Sequence, residues 1–219
     1  MKKDKRNEIK FVLNKISTEN FIYFLKANSG FFSEEFSDRY VNNIYFDNLN
    51  FDYYKKNIEG TSLRQKIRLR YYGLSKSNLI KNSILEFKIK ENNLNYKIRK
   101  KMNDFNINKI FSLSFDKNIK DLTSHLSDNL KPILINNYFR KYFISKSKNI
   151  RITIDQFLNY DYLNFNKKIN FNRLYDPNII IEAKFDPRDS DEASMLINQM
   201  PLRAIKNSKY VIGINKFLR

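Results

Sequence analysis

The sequence predicts an α+β protein built on an antiparallel β-sheet that closes into a barrel, with a polar, basic lumen and peripheral helices. The first observation is local. Every second residue from Arg64 to Arg70 is basic (Arg64, Lys66, Arg68 and Arg70), while Ile67 and Leu69 between the last three are branched and apolar. A strand turns successive side chains to opposite faces, so this stretch hangs its cations on one side and its apolar groups on the other. The second is recurrence: similar alternations run through Arg6-Asn7-Glu8-Ile9-Lys10, Glu86-Phe87-Lys88-Ile89-Lys90, Arg151-Ile152-Thr153-Ile154-Asp155 and Glu182-Ala183-Lys184. The third is a shortage of long crossover helices and of Gly, which favours an antiparallel sheet over a doubly wound one. In an open sheet a charged face meets solvent, and for any one strand that reading suffices. Recurrence points the charged faces at one shared place, and a closed barrel does this while leaving no exposed edge.

The elements follow in order. Residues 6–13 alternate charge with Ile9, Phe11 and Leu13, and Ser17 or Thr18 then caps a helix carrying Phe21, Ile22, Phe24 and Leu25. Residues 40–47 read as a second strand, 52–57 as a short helical turn stopped near Gly60, and 62–72 as the basic strand ending at Gly73. Strands 83–90 and 95–101 are joined by the polar turn Glu91-Asn92-Asn93. Residues 103–131 change to helical spacing, with Ile107, Ile110, Phe111, Leu113, Ile119, Leu122, Leu126 and Leu130, until Pro132 breaks the pattern. Strands resume at 133–144, 150–158 and 179–185, with a looser strand near 160–165, and helices are expected at 189–199 and 208–217. No repeat or Pro/Gly-rich linker divides the chain, so residues 1–219 are expected to form a single domain.

Composition narrows the class. The net charge of +18 over 219 residues exceeds what solubility needs and points to a polyanionic partner: nucleic acid, an anionic membrane or a phosphate-rich small molecule. The sequence has no cysteine and one histidine, His125, which removes thiolate and imidazole metal sites and leaves carboxylates for any metal. His125 itself is expected at the surface. No apolar run approaches the roughly 20 residues that span a bilayer, and residues 7–15 are charged where a secretion signal would be apolar. The expectation is a cytoplasmic protein without membrane insertion.

The segments Arg6-x-Glu8-x-Lys10-Phe11, Asn43-Ile44-Tyr45-Phe46-Asp47, Arg68-x-Arg70-Tyr71-Tyr72-Gly73, Leu85-Glu86-x-Lys88, Tyr138-x-Arg140, Arg151-Ile152-Thr153-Ile154-Asp155, Ile181-Glu182-x-Lys184-Phe185 and Ser208-Lys209-Tyr210 form an ordered series. In that order they resemble VTC-type polyphosphate polymerase domains, which belong to the triphosphate tunnel (CYTH-like) superfamily; the resemblance runs from about residue 6 to 214. It implies a tunnel of about eight antiparallel strands that takes ATP and transfers its terminal phosphoryl group to a growing inorganic polyphosphate chain, using Mn2+ or Mg2+. By position it makes Lys10, Arg68, Arg70, Lys88, Lys97, Arg140, Arg151, Lys184 and Lys209 phosphate ligands, with Tyr138 and Ser208 assisting and Glu182 the principal metal ligand. A membrane partner encoded separately would be needed for export, because no phosphate-sensing domain is seen before residue 6 and no membrane segment after 214.

This chemistry suits these residue types. Arg forks meet phosphate oxygens with paired charge-assisted bonds while Lys acts as a compact point charge. Phosphoryl transfer relies on positioning and fixed charge, so it needs no nucleophilic Ser, Cys or His. Glu8 and Glu86 are read as ion-pair partners that hold cations in place, with metal binding as the alternative; Asp155 is similarly open. Arg64, Lys66, Lys90 and Arg99 are read as solvated or entrance residues, and Phe21, Phe24, Phe46 and Phe87 as core. The competing functions are a triphosphate or nucleoside triphosphate hydrolase of the same fold, a non-catalytic polyphosphate-binding module and a nucleic-acid binder. Arg6 stands where the hydrolases tend to carry a first carboxylate. A convergent lumen would not admit a duplex, which disfavours nucleic acid.

Overall fold

The computed structural model describes residues 6–13, 16–73, 78–92, 94–112, 130–163 and 173–218. Its framework is a nine-stranded, wholly antiparallel sheet of β1 (Asn7–Leu13), β2 (Ser33–Asp47), β3 (Leu63–Tyr72), β5 (Ile84–Glu91), β6 (Leu94–Lys101), β8 (Lys131–Ile144), β9 (Arg151–Tyr162), β10 (Leu174–Asp176) and β11 (Ile179–Phe185). Their order is β1-β11-β9-β8-β2-β3-β5-β6, with β10 also paired to β9; β4 (Leu79–Ile80) and β7 (Phe105–Asn106) form a separate small pair. Among the described residues four α-helices accompany the strands: α1 (Thr18–Ala27), α2 (Asp52–Glu59), α3 (Ser190–Asn198) and α4 (Lys209–Leu218). None is long and apolar enough to cross a membrane.

The closed barrel is corrected. The sheet is open, because among the described residues the edge strands β1 and β6 share no backbone ladder. The edges explain it. The β6 edge carries Lys97, Arg99, Lys100 and Lys101, and the β1 edge carries Lys10; such charge discourages strand-to-strand pairing. The sheet nevertheless curls, so that side chains of β1, β3, β5, β6, β8, β9 and β11 line one cavity.

Local chemistry accounts for the helices. Ser17 is extended and its side chain accepts a hydrogen bond from the Asn20 amide at 3.2 Å, capping α1. Phe21 and Leu25, one turn apart, are buried, whereas Phe24, expected in the core, lies off that stripe and is 49% exposed. Gly60 ends α2 with φ 72°, the left-handed conformation that glycine adopts without a Cβ clash. At Gly213 in α4 a Cβ would come 2.4 Å from Leu134 and 2.7 Å from Tyr160, so the missing side chain lets this helix lie close against β8 and β9.

Other departures have identifiable causes. β2 begins at Ser33 and not at residue 40; its first half is polar and mostly exposed, so it carries no apolar alternation to read. The helical pattern expected over 103–131 becomes β7 and a 3-10 turn, Ile107–Ser112, in its first part, while residues 113–129, with His125, lie outside the described residues. Pro132 sits at the start of β8 beside a register shift between Tyr45 and Phe46, where a strand tolerates the missing N–H. The looser strand near 160 is the continuation of β9, bent at Phe157, whose φ of 56° coincides with a bulge against β8.

Apolar side chains form two cores on the convex face and a third that closes part of the concave side. One joins Phe11, Ile152, Ile154 and Ile181 to Phe21 and Leu25 of α1 and Leu196 of α3. A second gathers Ile44, Phe46, Ile67, Leu69 and Phe87 under the 3-10 turn. The third packs Leu134, Leu158 and Tyr160 against Tyr210 and Ile214 of α4. With the apolar phase of the strands taken by the first two cores, the charged phase is left to the concave side, which the third core shares through Tyr45 and Tyr138.

Candidate functional site

The concave face encloses a cavity of about 620 Å³, and every residue that the resemblance assigns to phosphate, substrate or metal lines it. Strand phase places them: Arg68 and Arg70 come from β3, Lys88 from β5, Lys97 from β6, Tyr138 and Arg140 from β8, Arg151 from β9, and Glu182 and Lys184 from β11. Lys10 comes from β1, Lys209 is the first residue of α4, and Ser208 immediately precedes it. Glu8, Glu35 and Glu182 are the carboxylates on the cavity wall among the described residues. Such an excess of cation over anion suits a polyanionic ligand.

Two buried carboxylates behind the wall hold the cations in place. Glu86, 2% exposed, accepts from Arg68 Nε at 2.7 Å and from Arg99 Nε at 3.1 Å, and lies 3.1 Å from Lys97 Nζ. Burial pushes its carboxyl up, but Arg68, Arg70 and Lys97 overcome that and hold it far below the usual carboxylate range. Asp155, fully buried, takes a bidentate fork from Arg140 at 2.5 and 2.7 Å and an ion pair from Lys209 at 2.6 Å. Its pKa is likewise lowered against burial by Arg140 and Lys209. In this structure Glu86 and Asp155 are engaged as ion-pair partners. The Tyr138 phenol is set among the same cations: Arg70 lies 3.5 Å from its oxygen, and Arg140 and Lys209 stand 5.2 and 4.8 Å from its ring centre.

A third cluster faces the cavity directly. Glu182, 6% exposed, pairs with Lys184. Burial would raise its pKa, but Lys184, Lys10, Arg140 and Lys209 hold it well below the usual value. Glu8 pairs with Lys10 at 2.7 Å. Burial and the nearby Glu182 charge oppose its ionisation, yet Lys88, Lys10 and Lys184 prevail and lower its pKa. Thr153, paired with Glu182 in the β9–β11 register, presents to this region a buried hydroxyl that has no hydrogen-bond partner. Among the described residues no group of three or more His, Cys, Asp or Glu side chains is arranged to hold a metal. The carboxylates that could hold a divalent cation here are Glu182 and Glu8, both on the cavity wall, with phosphate oxygens to complete the shell.

Burial lowers the pKa of three lysines in the lumen. Burial, then the charges of Lys10, Lys88 and Arg64, bring Lys66 down to about 7. Burial lowers Lys88 and Lys97 to about 8, although Glu8 supports the first charge and Glu86 the second. Lys66, expected near an entrance, lines the cavity and donates to Ser208 Oγ at 3.0 Å. Arg64 and Lys90 do stand at an opening, a second space of about 900 Å³ that shares Lys10, Lys66, Lys88 and Ser208 with the first. Arg151, half exposed and 2.9 Å from Glu35, marks the other mouth.

Sequence reasoning passed over Phe36, Arg39, Tyr45, Tyr142 and Thr153, all of which line the cavity. Thr153 and Tyr142 sit in phase with named neighbours and were legible from alternation. Phe36 and Arg39 were not, because two register shifts in β2 lie between Glu34 and Arg39.

Comparison with known proteins gives a family and a fold. The model of the VTC domain family matches residues 5–218. A candidate adenylate cyclase from Bacillus halodurans superposes with a TM-score of 0.60 at 14% identity, covering 98% of this chain and 100% of that one. A candidate adenylate cyclase from Vibrio parahaemolyticus gives 0.52 at 11% identity over 96% and 99%. The PH1819 protein of Pyrococcus horikoshii gives 0.51 at 13% identity over 98% and 99%. No curated protein matches the chain.

Proposed function

Because the chain belongs to the VTC domain family, we propose that it is a polyphosphate polymerase that moves the terminal phosphoryl group of ATP onto a growing inorganic polyphosphate chain in the cytoplasm. The observation that carries this reading is the curled sheet's cavity, where cations from opposed strands face one another around the ionised Glu182. A duplex nucleic acid has no place in a 620 Å³ cavity; a string of phosphates does.

Arg68, Arg70 and Arg140 arrive already oriented, the first and last by carboxylates and Arg70 by Asn43 Oδ1 at 2.9 Å. Their planar forks take equatorial oxygens of the transferring group, where charge spreads in the loose transition state. Lys10, Lys88, Lys97, Lys184 and Lys209 neutralise the flanking phosphates, and the Ser208, Thr153 and Tyr138 hydroxyls donate to oxygens that the cations leave free. The bond from the γ-phosphorus to the β–γ bridging oxygen breaks as a terminal oxygen of the acceptor chain bonds to that phosphorus, and ADP leaves with the released electron pair. The acceptor is an oxyanion at neutral pH, so no general base is required. A Mg2+ or Mn2+ ion held by Glu182, with Glu8 beside it, would supply further positive charge to the phosphates.

Purified protein incubated with ATP and Mn2+ should form phosphate chains resolvable on a gel. Bound nucleotide in a folded protein with no polymer formed would rule the reading out.

A further inference from the structure

At the mouth marked by Arg151, one guanidinium stands over three rings. Arg39 Cζ lies 4.8 Å from the ring centre of Tyr142, 5.3 Å from Tyr72 and 5.6 Å from Phe36, and all four side chains line the cavity. Phe36 meets Tyr142 edge to face at 5.7 Å. None of these rings belongs to an apolar core. Phe36 is 48% and Tyr72 45% exposed, so aromatic surface is open to whatever occupies this end.

The backbone is bent to build this cluster. Residues three apart on a regular strand face opposite sides, yet Phe36 and Arg39 both reach the cavity. The register shifts between Glu34 and Phe36 and between Phe36 and Arg39 provide the change of phase. Bulges of this kind re-aim side chains beside functional sites. The rings also stand at a fixed step from the phosphate-facing arginines: Tyr72 follows Arg70 on β3 and Tyr142 follows Arg140 on β8, each two residues on along the same face, about 6.6 Å.

We propose that this Arg39–Phe36–Tyr72–Tyr142 cluster is the seat of the donor's nucleobase, which stacks on exposed ring and guanidinium surface while the triphosphate extends inward to Arg70 and Arg140. The inference rests on the triphosphate reading of the cavity and adds where the nucleoside lies and how it is recognised. Stacking on aromatic and guanidinium planes is tolerant of base identity. Among the described residues that line the cavity, the carboxylate at this mouth, Glu35, is engaged by Arg151 at 2.9 Å and is not free to read a base edge. ATP and GTP therefore bind alike.

The test compares two ligands by calorimetry, the non-hydrolysable β,γ-imido analogue of ATP and inorganic tripolyphosphate, on the full chain. Tyr72→Ala and Phe36→Ala should each weaken the nucleotide analogue by about tenfold and leave tripolyphosphate within about twofold, with Tyr72→Phe restoring the nucleotide. Retained tripolyphosphate binding shows that the variants fold. Equal weakening of both ligands, or of neither, overturns the base seat while leaving the phosphate cavity standing. Failure of the unmodified protein to bind either ligand overturns the cavity reading itself.

Discussion

Glu8 on β1 and Lys88 on β5 meet across the gap that the sheet's hydrogen bonds leave open, with the ammonium 3.8 Å from the carboxylate. Glu8 supports the charges of Lys10 and Lys88 and feeds weakly into Lys66. In Glu8→Gln these ammonium groups lose that support, so their loss of charge moves to lower pH. Calorimetric titration of tripolyphosphate from pH 6 to 9 should show the decline in affinity shifted downward in the variant. An unchanged profile would mean that Glu8 does not govern the lumen charge.

The lowered lysines have opposite consequences for binding and for stability. Lys66 at about 7, and Lys88 and Lys97 at about 8, lose protons as pH rises from 7 to 9, so triphosphate affinity falls across that window and binding takes up protons. Unfolded lysines titrate near 10.4, so the unfolded chain holds more protons there and stability of the free protein rises with pH. Melting temperature without ligand should increase from pH 7 to 9 while added tripolyphosphate stabilises less and less. Parallel changes in the two would contradict the lumen assignment.

Glu86 is the counter-ion for Arg68, Arg70, Lys97 and Arg99. Replacing it by Gln leaves buried cations facing one another, a loss on the order of 3–5 kcal/mol measured by urea unfolding. Its folded pKa is depressed, so its contribution is present above the unfolded carboxylate pKa and lost as pH falls below it. Glu86→Gln should therefore flatten the acid side of the stability profile, and tripolyphosphate should rescue part of the loss.

Glu182→Gln separates metal from phosphate. The variant keeps its volume and loses a charge that opposes an incoming anion, so metal-free tripolyphosphate binding should hold or tighten. Metal-dependent turnover should fall at least about a hundredfold. Full turnover would place the metal on another carboxylate.

Strand alternation made the concave face legible: Arg68, Arg70 and Lys88 share it because the core takes Ile67, Leu69 and Phe87. Phase says which face a residue occupies but not how deep it lies, which is why Lys66, read at an entrance, is found where the lumen meets the opening. Phase also fails at bulges, and Phe36 and Arg39 were invisible for that reason. Closure was over-read, since alternation does not tell whether charged edges such as Lys97 and Lys10 will pair or repel. The carboxylates Glu86 and Asp155 were left open in sequence because their role depends on partners from β3, β6, β8 and α4.

The balance of products tests the central claim most directly. With γ-labelled ATP and Mn2+, each ADP released should be matched by one phosphate incorporated into a lengthening chain. Arg70→Ala should abolish this, and Lys55→Ala, a change on an exposed face of α2, should not alter it. ADP matched by free orthophosphate, with no chain growth, would show water to be the acceptor and contradict the account.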